Sequence, residues 1–245
     1  GKVIRTIKTD VHRGLNRVVW DLGRDEFRMP PQENRGFPRS GSGPSVTPGT
    51  YNVVVKFGKE EARGTLKVEA DPQLGVAAND WQAWDAAVNR VGQLQESVTE
   101  AIERVSATRS DVGVVLSKLD ARSKARQRNG ETGNDPDRDL RKAARDLQKR
   151  LDEVERKLHV PPGTKGIVED RTAQRGMDYM RRYVGSSFAA PTGTVKGHME
   201  TAEATVREVL AEVNKLYADD VPAFRQKVTA AQIDLLGAVG PIEVK

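Results

Sequence analysis

Asp135, Asp137 and Asp139, with Asp146 beyond them, fall on the first, third, fifth and twelfth places of a calcium-binding loop. The sixth place must turn sharply on glycine and here holds Leu140. The same residues read more simply as a helix start. Asp135 caps, Pro136 takes the first helical position, and the acidic side chains favour the positive end of the helix dipole. The three histidines, His12, His159 and His198, fall in separate elements, without the i, i+4 pairing or carboxylate offset of a zinc site. His159 near a helix end reads as a partner of the dipole. No cysteine occurs, so thiol chemistry and disulfides are excluded. No G-x-S-x-G, P-loop or G-x-G-x-x-G between strand and helix is present. Catalytic, metal-ligating and cofactor-binding residues are therefore expected to be none.

Three other groups invite a binding reading. Trp81 and Trp84 sit one turn apart, as a sugar-stacking pair would, but on a heptad stripe they read as packing. Lys118 to Arg128 (KLDARSKARQR) holds five cations against Asp120. An anionic surface would suit them, and so would a solvated helix C-terminus. The Gly/Pro-rich run from Gly23 to Val46 is longer than an ordinary connection. Its Arg24, Phe27, Arg28, Arg35, Phe37 and Arg39 form a candidate docking loop, against the simpler reading of a solvated excursion.

The elements that hold these residues follow from composition and period. The 245 residues are 37% hydrophobic, 5% aromatic and 31% charged, with a net charge of +5. No apolar run approaches the roughly 20 residues of a membrane span. Residues 1–70 carry 13 basic and 8 acidic side chains, whereas residues 71–245 balance 27 against 27. That excess lacks the interleaved aromatics and phosphate-cradling glycines of a nucleic-acid site, and no nucleic acid is expected as a partner.

Residues 1–70 read as β. Val3, Ile4 and Ile7 mark one strand. Leu15 to Leu22 marks a second, with Val18, Trp20 and Leu22 on one face. Thr47-Pro48-Gly49-Thr50 turns the chain. Tyr51, Val53, Val55 and Phe57 then pair, through a corner at Gly58, with Ala62, Gly64, Leu66 and Val68 as an antiparallel hairpin. Four strands are fewer than the roughly seven of an immunoglobulin-like sandwich. With Gly1-Lys2-Val3-Ile4 opening directly in a strand, residues 1–70 read as part of a sandwich whose other strands lie upstream. From Asp80 the period changes to that of helices, expected near 80–127, 136–159, 171–185, 193–218 and 221–237. The fourth and fifth are separated at Asp219-Asp220, ahead of Pro222. Met180 and Tyr183 are expected inward on the third. The fold class expected is α+β, a partial immunoglobulin-like antiparallel β-sandwich (1–70) followed by an antiparallel helical bundle (71–245).

The residues Gly14-Leu15-Asn16-Arg17-Val18-Val19-Trp20-Asp21-Leu22, then Pro48-Gly49-Thr50-Tyr51 and Asp71-Pro72, resemble the C-terminal tail of bacterial exported sortilin-like proteins with BNR-type β-propeller repeats, often labelled glycosyl hydrolases. The motif residues Gly14, Asn16, Trp20, Asp21, Pro48, Gly49 and Tyr51 belong to that tail's immunoglobulin-like module. The resemblance implies an extracellular or periplasmic location and an upstream β-propeller as partner. Any catalytic site would lie in that propeller, so no functional residue carries over. The expectation is a non-catalytic accessory module for domain docking or protein interaction. The alternatives are the C-terminal part of a glycoside-hydrolase-like enzyme, and a self-associating helical interaction protein.

Overall fold

The computed structural model describes residues 1–30, 43–131, 133, 135–161, 164 and 171–233. Among them two strands, β1 (Gly49–Phe57) and β2 (Glu60–Val68), precede four helices: α1 (Ala78–Arg128), α2 (Arg138–Leu158), α3 (Ala173–Val184) and α4 (Gly193–Ala230). The fold is α+β. The residues group into two compact units, one of Gly1–Thr99 with Gln174–Ala204, the other of Glu100–Ala173 with Thr205–Lys245.

The hairpin forms where alternation predicts it, with Tyr51 opposite Leu66, Val53 opposite Gly64 and Val55 opposite Ala62. Its two-residue loop turns on Gly58 at φ +60°. Positive φ at the first loop residue alone is the type II′ arrangement, which matches strand twist and favours glycine.

The other two expected strands do not form, so the described residues make one two-stranded sheet and not a sandwich. Residues 1–22 are largely exposed and unladdered, Leu15 being 99% exposed. One antiparallel bridge joins Gly23 to Ser45, flanked by Arg24 N–H to Pro44 O at 2.9 Å and Val46 N–H to Leu22 O at 2.8 Å. That pairing stops for two reasons. Leu22 lies at φ +57°, which turns the preceding chain away from the ladder. On the opposite side, Pro48 has no N–H to donate.

In the first unit the buried stripe of α1 comprises Trp84, Ala87, Val88, Val91, Leu94 and Val98, and α3 turns Met177, Met180 and Val184 inward. Tyr183 departs from expectation: it is exposed and stacks on His198. Trp81, Trp84 and Phe188 form one aromatic cluster, with centroids 4.7 to 5.8 Å apart. Trp84 Nε1 donates to the Val184 carbonyl at 2.9 Å. The tryptophan pair is packing.

In the second unit all six stripe positions predicted for α2 (Leu140, Ala144, Leu147, Leu151, Val154 and Leu158) are buried. Val206, Val209, Val213, Leu216 and Phe224 of α4 are buried too. The break expected at Asp219-Asp220 is absent, and α4 runs through Pro222. Burial of Leu216 and Phe224 on either side outweighs the single backbone bond that proline removes.

Candidate docking surface

The hairpin has two unlike faces. Register puts Tyr51, Val53, Val55 and Phe57 on one side with Leu66, Gly64, Ala62 and Glu60. The opposite side carries Thr50, Asn52, Val54 and Lys56 with Lys67, Thr65, Arg63 and Glu61. The first side is apolar and lies open: Phe57 is 67% and Val55 60% exposed. Among the described residues its near end is covered, where Trp20 meets Tyr51 edge-on at 5.7 Å. Both outer edges carry unpaired backbone groups, because the sheet holds only these two strands among the described residues. A two-stranded ribbon with a solvated apolar face is marginal alone and is stabilised by further strands or a packed layer.

The motif residues of the first module serve turns. Gly14 takes φ +107°. Asn16 closes the loop around it, accepting from His12 N–H and donating to His12 O, both at 2.9 Å. Trp20 Nε1 donates to Gly23 O at 2.7 Å, and the Asp21 carboxylate accepts Gly23 N–H at 3.0 Å. Tyr51 Oη donates to Thr47 O across Pro48-Gly49.

Of the expected docking loop, Arg35, Phe37 and Arg39 lie outside the described residues. Arg24, Phe27 and Arg28 lie against α1 of their own unit. Arg24 pairs with Asp85 and donates to Asn89 Oδ1 at 3.1 Å. Phe27 lies over Gly92. Arg28 offers its carbonyl to Thr99 Oγ1 at 3.1 Å and its N–H to Glu96 at 3.4 Å. The receiving residues Asp85, Asn89, Gly92, Glu96 and Thr99 recur at helical spacing along one face of α1. That polar row with a glycine at its centre, running beside the apolar stripe, is the sequence signal of the contact.

Both polar interruptions of the α1 stripe are filled. Gln95, 2% exposed, donates to Gln174 at 2.9 Å and to Thr99 Oγ1 at 3.2 Å. Arg109 reaches Asp152 at 2.7 Å and the buried Glu155 at 3.5 Å. Glu155 also lies 3.7 Å from His159, the C-cap of α2.

Two aspartates of the calcium-like pattern, Asp135 and Asp137, are engaged by arginines. Asp135 accepts Asp137 N–H at 3.1 Å and meets Arg126 at 3.1 Å and Arg141 at 3.3 Å. The backbone bond, with both guanidinium groups, holds its carboxyl below the usual range. Asp137 meets Arg126 at 2.7 Å, and helix α2 starts after it with no side-chain cap bond. Among the described residues no three His, Asp or Glu side chains are gathered for a metal ion. Two cations of the Lys118–Arg128 run therefore make internal ties instead of standing solvated: Arg126 to these aspartates and Arg122 to the Ala231 carbonyl at 3.0 Å. Burial pushes the Tyr217 phenol up, and its hydroxyl donates to Arg104 O at 2.8 Å.

No family model, curated protein or solved structure matches the chain. Among the described residues no helix is long and apolar enough to cross a membrane.

Proposed function

We propose that this chain is a non-catalytic docking module of an exported β-propeller protein, acting through the β part of its first unit. The hairpin would form one portion of an immunoglobulin-like sandwich completed from outside these residues, and the helices of the second unit would pack as a bundle presenting polar faces. One observation carries the reading. The face of Tyr51, Val53, Val55, Phe57 and Leu66 is apolar, alternates cleanly with a polar face, and is left in solvent. Selection for solubility alone disfavours such a face, whereas a docked layer accounts for it. The turn motif supports the propeller context, since Gly14, Asn16, Trp20, Asp21 and Tyr51 are where the resemblance is strongest.

The coding sequence upstream of Gly1 tests the context. Several repeats of about 40–50 residues are expected there, and their absence would overturn the propeller reading. The isolated chain is expected to release nothing from glycosides. Turnover that survives repurification would instead place a hydrolase site within it.

A further inference from the structure

The two edges of the hairpin are chemically unequal. β2 carries four charged residues in nine, Glu60, Glu61, Arg63 and Lys67, and β1 carries only Lys56. Glu61 is moreover held by Lys56 at 3.5 Å and Arg63 at 2.7 Å. Charges along an edge are how sheets prevent a further strand from adding. β2 is guarded in this way, and β1, with its Val53-Val54-Val55 centre, is not.

The backbone of β1 is ready for such an addition. Across a two-residue loop the flanking pair Phe57 and Glu60 exchanges both ladder bonds. Counting back, Val55, Val53 and Tyr51 direct their N–H groups toward β2, and Lys56, Val54 and Asn52 direct theirs outward. No backbone bond among the described residues reaches those three outward groups. Among the described residues the chain's own arm does not take the place, because Leu22 and Pro48 end its pairing before β1 begins. The isolated bridge of this arm, Gly23 with Ser45, lies just before β1 in the chain and leaves the outward groups of β1 itself open.

Charge selects the partner. The first 70 residues carry 13 basic against 8 acidic side chains, and the charge on β1 itself is Lys56. A second copy would bring the same positive excess. From these features we infer that β1 is a strand-addition edge, and that its occupant is a strand of a neighbouring β-domain, apolar on the face continuous with Val53 and Val55 and acidic on the other. This rests on the docking reading above and names the edge and the chemistry of the partner.

The probe is a synthetic strand alternating valine with glutamate, added to the full chain while amide hydrogen exchange is followed. At probe concentrations about ten times its Kd, exchange at Asn52, Val54 and Lys56 is expected to slow roughly tenfold. Val54→Pro or Asn52→Pro removes an outward N–H without touching the inner ladder and should abolish that protection. Continued protection of Val53 and Val55 shows that the hairpin has survived. Arg63→Pro, the equivalent change on the β2 edge, should leave binding intact. Loss with Arg63→Pro in place of the β1 variants overturns the choice of edge. Equal binding of a valine–lysine strand, or no protection with either strand, overturns the acidic partner. A dimer of the chain alone that Val54→Pro dissolves overturns the neighbouring domain in favour of a second copy. Each of these failures leaves the docking reading standing if propeller repeats are found upstream, and missing repeats sink that reading whatever the strand does.

Discussion

Phe27 covers Gly92 so closely that a Cβ at that position would fall within its ring. Glycine costs a helix interior about 1 kcal/mol relative to alanine, so Gly92 in the middle of α1 is a local loss offset by the ring above it.

Two backgrounds separate those effects. Gly92→Ala in the otherwise unchanged chain should destabilise by about 1–3 kcal/mol, since the ring and the chain from Arg24 to Arg28 must shift. After Phe27→Ala the same change should stabilise by about 1 kcal/mol, because only helix propensity remains. Denaturant unfolding of the four proteins gives both values. Equal effects in the two backgrounds would show that Phe27 does not rest on α1.

Arg109 and Glu155 make a second coupled pair. Glu155 is 5% exposed, and the Arg109 guanidinium and the His159 ring lie beside it. Removing a partner from a buried carboxylate leaves charge without compensation, which costs more than an exposed pair is worth. Arg109 is itself partly exposed, so Arg109→Met should cost about 1–3 kcal/mol. Adding Glu155→Gln should recover most of that loss. A double mutant as unstable as the sum of the two singles would exclude the coupling.

These two cases mark how much was legible in the residues. Apolar period alone located the α2 stripe residue by residue, and the hairpin followed from alternation and Gly58. The first two strands failed because alternation reports which face a residue prefers, not whether a partner edge is present. Leu15 to Leu22 alternates well enough, yet Leu22 and Pro48 prevent it from laddering. Gln95 and Arg109 looked like faults in the stripe because their partners, Gln174 and Glu155, lie 79 and 46 residues away. The docking of Arg24 and Phe27 on α1 was hidden for the same reason, since no local period encodes a contact between a loop and a helix. The asymmetry of the hairpin edges, in contrast, could be read directly from nine residues on each side.

Acid should act through Asp135. Its carboxyl is held low by the Asp137 N–H first and by Arg141 and Arg126 after it. A carboxyl whose folded pKa lies below its unfolded value stabilises the fold above the unfolded value, near pH 4, and that contribution is lost as pH falls through the folded one. Asp135→Asn should therefore lower Tm at neutral pH, and the difference from the unchanged chain should shrink steadily below about pH 4. A difference independent of pH would assign the loss to the turn geometry and not to the charge.

Pro222 sets two effects against each other within α4. Without an N–H it leaves the Ala218 carbonyl unbonded in the helix ladder, and its ring crowds that same carbonyl. Against this, proline restricts the unfolded chain, which favours the folded state by about 0.4–1 kcal/mol at a compatible site. The interior of a helix is not compatible, and the local penalty of about 3 kcal/mol is the larger quantity. Pro222→Ala should accordingly stabilise the second unit by about 1–3 kcal/mol. Its effect should be greatest on the amides of Val221, Ala223 and Phe224, whose exchange it is expected to slow. Exchange at these amides unchanged by the substitution, together with an unchanged Tm, would mean that burial of Leu216 and Phe224 alone determines how firmly this turn is held.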